Sequence, residues 1–186
     1  KQDALYEPLC AWLTTQLGGR LVKVDCPRED TFVTNRVRHA IRTNLISWVR
    51  PDGSLAARKA EYFSNQGAYI SHGHGVVEKG MSAFPELYPC PNLEGDAWTA
   101  FTNRPSGGAM RGYGTPQVMW AEESHIDEIA RALGRDPVEY LRQIVMPKGF
   151  FDPFSKNENY YDSFRETMDK GMAAIDYTRK RQEYEN

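Results

Sequence analysis

The chain has 186 residues, with 23 basic and 25 acidic side chains that give a formal net charge of -2 at pH 7. This near-balance gives no electrostatic case for nucleic-acid binding, and no run of about 18 apolar residues predicts a membrane helix. Hydrophobic residues make up 40% of the chain, below the usual range of about 45–50%, which indicates surface that other polypeptide normally covers.

The cysteine content and the N-terminal sequence give two further expectations. Cys10, Cys26 and Cys90 are odd in number and widely spaced. This pattern fits reduced thiols in the cytoplasm better than a disulfide framework, and it has no metal-ligand spacing. The chain begins Lys1-Gln2-Asp3, without methionine or an apolar leader. We interpret this start as a boundary within a longer polypeptide rather than a signal peptide.

The N-terminal third of the chain predicts a helix followed by a strand. Apolar residues recur with helical period from Leu5 to Leu17, and Gly18-Gly19 follows where a left-handed helix cap belongs. Alternating apolar residues from Leu21 to Cys26 predict a short strand. The acidic segment Arg28-Glu29-Asp30 is expected to form a turn.

The middle of the chain carries the clearest strand signal. Two strand-like runs, His39 to Val49 and Ser54 to Phe63, flank Pro51-Asp52-Gly53, whose residues favour a tight turn. These runs predict an antiparallel hairpin. A short helix is expected from Val76 to Phe84, and Glu94 to Asn103 predicts another strand that leads towards a glycine-rich segment.

Helices are predicted for most of the C-terminal part. Thr115 as N-cap and Pro116 open the first, and Asp136 caps the second. The predicted buried stripe of the first helix contains Met119, Ile126, Ile129, Ala130 and Leu133, and that of the second contains Val138, Leu141 and Val145. The segment from Phe150 to Tyr161 reads as irregular, and Ser163 to Glu185 as a charged helical tail. Together these elements predict an α+β fold, with a mixed sheet, an antiparallel hairpin and flanking helices.

The segment from Gly107 to Gln117 is the strongest candidate for a binding site. Its sequence, Gly-Gly-Ala-Met-Arg-Gly-Tyr-Gly-Thr-Pro-Gln, contains four glycines in eleven residues. We expect these glycines to remove side chains that would collide with a bulky bound group, while Arg111 and Tyr113 supply a charge and an aromatic face. The alternative is a glycine-rich linker into the next helix.

Three further groups of polar residues have both a functional and an ordinary interpretation. His72-Gly73-His74 has two imidazoles that share a face on an extended segment, but it lacks a third metal ligand and fits an ordinary loop. The acidic residues Glu122-Glu123 and Asp127-Glu128 are expected on the solvated side of their helix. Glu78-Lys79 either lies in a partly buried substrate site or forms an exposed charged pair.

The glycine-rich segment resembles a motif of a known enzyme family. Gly108 to Gln117 is similar to Ala-Phe-Arg-Gly-Phe-Gly-x-Pro-Gln in the molybdopterin-binding catalytic subunit of the xanthine dehydrogenase and aldehyde oxidoreductase family of molybdenum hydroxylases. Other segments match at family-like spacing: Arg28-Glu29-Asp30, Arg38-His39, Gly67-Ala68-Tyr69, Met119 to Glu128 and Ala132 to Pro137. The resemblance implies that residues 1–146 form part of a molybdopterin-binding domain, and that residues 147–186 are a charged helical extension of it.

The resemblance also implies roles for individual residues. Arg111, Gly112 and Met110 would contact the cofactor, whose molybdenum is held by the pterin, so no protein metal ligand is expected. Tyr113 would contact substrate at a position where the family commonly has phenylalanine. Glu78 and Lys79 would also be substrate-binding residues. Purine-oxidising members have arginine at the position of Lys79, so the lysine puts purine specificity in doubt.

The resemblance implies an activity that needs more protein than this chain. The expected reaction is hydroxylation of a heterocycle or aldehyde with oxygen from water. No catalytic residue is expected within the chain, because the general-base glutamate would lie downstream of Asn186, and a Gly-Gly-Phe-Gly-Gly loop would precede Lys1. The chain alone is therefore expected to be inactive.

The implied cofactors and partners follow from the same resemblance. The cofactor would be molybdopterin, alone or in its cytosine dinucleotide form, with iron–sulfur clusters and FAD on partner domains or subunits. The remainder of the molybdopterin subunit would also be a partner, and the location would be cytoplasmic.

Two other classes of function remain open. One is a non-catalytic binding or assembly module related to this subunit. The other is a single-stranded nucleic-acid binder built on residues 111–114, which the charge balance disfavours.

Overall fold

The computed structural model describes residues 6–153 and 156–184, which form α-helices around a mixed β-sheet. The strands of the main sheet are β1 (Ile41–Val49), β2 (Leu55–Gly67) and β3 (Leu93–Phe101), and β4 (Phe151–Asp152) and β5 (Asn157–Glu158) form a separate small pair. The helices are α1 (Glu7–Gln16), α2 (Arg28–Thr34), α3 (Gly73–Ser82), α4 (Thr115–Ala132), α5 (Pro137–Ile144), α6 (Ser163–Ile175) and α7 (Tyr177–Tyr184). The predicted α+β class is confirmed.

The hairpin predicted around Pro51-Asp52-Gly53 is confirmed. Strands β1 and β2 pair antiparallel, with Leu45 opposite Ala60. Gly53 has a φ of 89°, and its N–H donates to the Arg50 carbonyl at 2.8 Å. The Asp52 carboxylate accepts from the Ser54 N–H at 2.8 Å. Each turn residue therefore supplies the backbone angle or the hydrogen bond that its type favours.

Strand β3 completes the sheet and leads the chain to the glycine-rich segment. It pairs parallel to β2, and the connection between the two strands contains α3. Helices α3 and α4 pack against one face of this sheet, around a core of Ala60, Tyr62, Val77, Phe84 and Val118. A second core cluster joins α4 and α5 and contains Leu55, Tyr88, Ile126, Ala130, Tyr140 and Ile144.

The N-terminal part contains two corrections to the predicted elements. The strand predicted at residues 21–26 is wrong, because this segment has no strand pairing and Leu21 is 97% exposed. Alternation predicts a strand only where a partner strand and a core lie beside it. Residues 28–30, expected to form a turn, instead begin α2 after Pro27.

The predicted first helix is confirmed as α1, although Leu5 lies outside the described residues. Gly18 and Gly19 both have positive φ at its C-terminal end.

Helix α4 buries most of the predicted stripe but differs from the prediction at its N-cap and at Glu122. Gly114, with a φ of 97°, is its N-cap, and Thr115 is its first residue. The buried residues are Val118, Glu122, Ile126 and Ala130. Two members of the predicted stripe, Ile126 and Ala130, are thus confirmed as buried. The prediction that Glu122 faces solvent is wrong, because Arg58 of the sheet supplies a buried partner for its carboxylate.

The C-terminal helices follow their predicted boundaries more closely than their predicted faces. The Asp136 side chain caps α5 by accepting from the N–H groups of Val138 and Glu139. The buried residues of α5 are Tyr140 and Ile144, which were not predicted. Of the predicted face, Leu141 is partly buried against the second core cluster and Val145 is buried just after the helix.

The predicted helical tail is divided into α6 and α7 at Asp176, which has a φ of 53°. Glu185 and residues 154–155 lie outside the described part of the chain. Within the described ranges, none of the helices has the length and apolar character needed to cross a membrane.

Candidate cofactor and substrate site

The glycine-rich segment is fixed at its start by the edge of the sheet region. Gly107 forms a parallel bridge with Val37, and its N–H donates to the Gln66 carbonyl at 2.8 Å. The Gly108 N–H donates to the Val37 carbonyl at 3.1 Å. The segment then runs directly into the first turn of α4, so both of its ends belong to packed structure.

The centre of the segment is a tight turn from Met110 to Tyr113. The Tyr113 N–H donates to the Met110 carbonyl at 2.8 Å, and Gly112 at the third turn position has a φ of 94°. Positive φ at that position, after a residue without positive φ, is the signature of a type II turn. Tyr113 itself has a φ of 46° and Gly114 one of 97°. Three consecutive residues are therefore in left-handed conformations.

Each of the four glycines lies where an added Cβ atom would collide with the protein itself. A Cβ atom on Gly107 would lie 2.6 Å from His39 Nδ1, and one on Gly108 would lie 2.7 Å from Arg36 Cβ. On Gly112 it would lie 2.5 Å from Pro116 Cγ, and on Gly114 it would lie 2.0 Å from the Val76 carbonyl oxygen. The glycines therefore make room for the protein's own chain, and that they also leave room for a bound group stays a prediction.

Two side chains outside the turn hold it in place. The Arg38 guanidinium donates to the Arg111 carbonyl and, at 3.1 Å, to Gln117 Oε1. The Gln117 amide nitrogen donates to the His39 carbonyl at 3.2 Å. Sequence reasoning assigned no role to Arg38 or Gln117, although both lie in the segments that resemble the family.

His39 packs beneath the start of the same segment. Its ring is 5% exposed, and neither ring nitrogen has a hydrogen-bond partner within the described part of the chain. Burial, with a smaller contribution from the Arg38 charge, lowers the pKa of His39 from its usual value of 6.5. The ring is therefore neutral at pH 7 and adds no positive charge beneath the segment.

The predicted cofactor-binding residues lie on the exposed side of the turn. Arg111 and Gly112 are exposed, and Met110 is 46% exposed. The main-chain N–H groups of Arg111 and Gly112 have no acceptor among residues 6–153 and 156–184. A cavity of about 760 Å³ is lined in part by Phe32, Arg38 and Met110. Its lining does not include Arg111 or Gly112, so it lies on the Arg38 side of the turn and not beside the unpaired N–H groups. Unpaired N–H donors and an exposed guanidinium fit a ligand that carries oxygen atoms.

The predicted substrate-binding residues lie on and beside α3. The Tyr113 hydroxyl is 3.2 Å from His72 Nδ1, and it also lies against Gly75. Glu78 and Lys79 follow Gly75 by three and four residues, which places them on the same side of the helix as the tyrosine. Both are exposed, and Lys79 Nζ lies 3.4 Å from the Ser82 hydroxyl. Of the two alternatives for Glu78-Lys79, the exposed position is the one found in the described residues. Their role in substrate binding stays a prediction.

Other candidate polar residues do not join this site. His74 is exposed, and the described residues contain no group of three or more histidine, cysteine or acidic side chains that could hold a metal ion. Glu122 is fully buried, where it forms an ion pair with Arg58 and accepts from the Tyr62 hydroxyl at 3.0 Å. Burial outweighs these partners and raises the pKa of Glu122 to about 6. This carboxylate belongs to the core between sheet and helix.

Proteins of known type are similar to this chain in sequence. The chain is 40% identical over all 186 residues to the xanthine dehydrogenase molybdenum-binding subunit of Escherichia coli O157:H7, and it spans 25% of that subunit. It is 33% identical over 139 residues to the nicotinate dehydrogenase large molybdopterin subunit of Eubacterium barkeri. That alignment covers 75% of this chain and 32% of the relative. The chain thus corresponds to a portion of these longer proteins.

A solved structure and a family profile agree with these relatives. The aldehyde oxidoreductase of Desulfovibrio gigas matches with a TM-score of 0.80 and 27% identity, over 96% of this chain and 20% of that one. The profile of the molybdopterin cofactor-binding domain matches residues 1–146, which include the whole glycine-rich segment. The chain therefore belongs to the molybdopterin cofactor-binding domain family.

Proposed function

We propose that the intact protein is a molybdenum hydroxylase that hydroxylates a heterocycle or an aldehyde with oxygen derived from water. The observation that carries this proposal is the turn from Met110 to Tyr113, whose unpaired N–H groups and exposed arginine lie beside a phenol ring. The xanthine dehydrogenase, nicotinate dehydrogenase and aldehyde oxidoreductase relatives support the reaction class.

The chain's share of cofactor binding would come from three residues of the turn. Arg111 and Gly112 would donate hydrogen bonds to oxygen atoms of the cofactor, and Met110 would form an apolar contact beside them. Bound molybdopterin supplies the redox chemistry through its metal. The protein contributes fixed donors that need no reorganisation when charge develops, because the turn is already held by its own hydrogen bonds.

Substrate contacts would come from Tyr113, Glu78 and Lys79. The Tyr113 ring offers an aromatic face for a planar substrate, and its hydroxyl, paired with His72, adds a polar contact that phenylalanine lacks. Lys79 supplies a positive charge without the planar pair of donors that arginine has. These features favour a substrate that stacks on the Tyr113 ring and makes one charge contact with Lys79. They are less suited to a purine that needs a bidentate donor such as arginine.

The remaining parts of the enzyme would lie outside these 186 residues. The general-base glutamate, the rest of the molybdopterin subunit, and iron–sulfur and FAD domains or subunits are all assigned there, in a cytoplasmic assembly. The three free cysteines support that location. The cofactor is molybdopterin or its cytosine dinucleotide form. The chain alone is expected neither to retain the cofactor nor to turn over.

Oxygen labelling tests the reaction class. The intact, cofactor-loaded protein is incubated with an aldehyde or an azaheterocycle in water enriched in ¹⁸O, and the product is examined by mass spectrometry. Label in the new hydroxyl or carboxylate oxygen is the expected result. An unlabelled product would reject hydroxylation with water, and absence of both cofactor and turnover would favour a non-catalytic assembly module.

A further inference from the structure

We propose that Arg38 is a positioning residue, which selects the turn conformation that presents the Gly112 N–H to the cofactor. This inference rests on the proposed function of the Met110–Tyr113 turn. It assigns a role to a side chain that lies behind the turn and has no direct contact with the ligand.

Arg38 is bonded to the middle of the turn rather than to its ends. The carbonyl that accepts its guanidinium belongs to the Arg111–Gly112 peptide, which is the central peptide of the turn. The second terminal nitrogen of the same guanidinium donates to Gln117 Oε1, and the Gln117 amide nitrogen donates to the His39 carbonyl. A planar guanidinium held at two points has little freedom to follow a moving carbonyl.

The central peptide is the part that distinguishes two turn types. Type I and type II turns differ mainly by a half rotation of this peptide, which exchanges the directions of its C=O and N–H groups. Glycine at position 112 permits both forms, because it accepts positive and negative φ about equally. The residue alone therefore does not choose between them.

The hydrogen bond from Arg38 favours the type II turn over the type I turn. In a trans peptide the C=O and N–H groups point in opposite directions, and the described residues contain no cis peptide. With the Arg111 carbonyl held towards Arg38, the Gly112 N–H points away from Arg38 and remains unpaired. A type I turn would reverse this arrangement, so that the carbonyl oxygen would replace the donor at the ligand face.

The test is the Arg38→Gln variant of the intact, cofactor-loaded enzyme, with Arg131→Gln as control. Arg131 lies on α4, is 70% exposed and pairs only with Asp127 among the ion pairs of the described residues. We expect Arg38→Gln to lower kcat about 10- to 100-fold, as loss of a supporting hydrogen bond behind a metal site commonly does. We also expect its Mo(V) electron paramagnetic resonance spectrum to change. Arg131→Gln should match the wild type in both measurements.

A wild-type kcat and Mo(V) spectrum in Arg38→Gln would overturn the inference. If Arg38→Gln does not accumulate in loaded form, Gln117→Leu examines the same support, because it removes the second acceptor of the Arg38 guanidinium without adding bulk to the turn. A changed Mo(V) spectrum is expected there, and an unchanged one would contradict the inference. Failure of the proposed function is distinguishable, because the wild-type protein itself would then lack molybdenum or water-derived label.

Discussion

Arg58 and Glu122 form the most deeply buried ion pair of the described residues, with about 1% of each side chain exposed. Arg58 also donates to the Phe84 carbonyl at 3.1 Å and lies over the Phe84 ring at 4.3 Å. Tyr62 donates to the remaining carboxylate oxygen. Sequence reasoning placed Glu122 on a solvated face, since the position of its cation on β2, 64 residues away, is set by the fold and has no local signal.

Removing Arg58 alone should destabilise the fold strongly. Arg58→Met leaves the Glu122 carboxylate buried without its cation, at an expected cost of about 3–5 kcal/mol at pH 7. The double variant Arg58→Met/Glu122→Leu should recover most of this loss, because no charge then remains buried. Chemical denaturation of the 186-residue chain measures both. Equal losses in the single and double variants would contradict the interpretation of a coupled pair.

Glu122 should also give a pH dependence of opposite sign to that of most acidic residues. Its pKa rises from 4.5 to about 6 on folding, so the folded state binds the proton more tightly. The stabilisation is complete below pH 4.5 and is lost as the pH rises through 6, with a total of about 2 kcal/mol. The unfolding free energy of wild type minus that of Glu122→Gln isolates this effect, and this difference should decrease as the pH rises from 4.5 to above 6. A difference that increases with pH over this range would show that Arg58 dominates instead.

At the level of elements, α3 and α4 approach closely at two glycines. A Cβ on Gly80 would lie 2.9 Å from Val118 Cγ2, and one on Gly114 would overlap the Val76 carbonyl oxygen. The close contact brings the N-terminus of α4, and with it Tyr113, against the first turn of α3 at His72. The sequence predicted both helices from the residues that begin and end them. It offered no signal for this contact, because each glycine also fits an ordinary local role.

Substituting Gly114 should therefore damage both the fold and the site. Gly114→Ala combines a left-handed φ of 97° with a steric overlap, and should cost roughly 3 kcal/mol or more. Gly134→Ala is the matched control, because Gly134 has a φ of 65° but nothing within 4 Å of an added Cβ. It should cost about 1 kcal/mol. Thermal and chemical unfolding compare the two variants, and similar losses would show that the contact between α3 and α4 is unimportant.

For the whole molecule, the hairpin, β3 and the cap of α5 followed from local residue preferences, whereas the N-cap of α4 is Gly114 rather than the predicted Thr115. The buried faces followed only in part, because burial depends on which elements meet. The failed strand at residues 21–26 and the large exposed side chains, such as Leu21 at 97% and Trp48 at 52%, have a common physical basis. The apolar side chains of this chain also lie on surfaces that no other described residue covers. The turn from Met110 to Tyr113 could be located from its glycines, whereas its support by Arg38 required the fold.

The position of molybdenum in crystals of the intact, loaded protein tests the central claim most directly. Anomalous scattering at the molybdenum edge locates the metal independently of the surrounding density. We predict a single peak beside the Gly112 amide, on the side of the turn opposite Arg38 and next to the Tyr113 ring. A peak on the Arg38 side, or at a site away from residues 110–113, would contradict the proposed role of this turn.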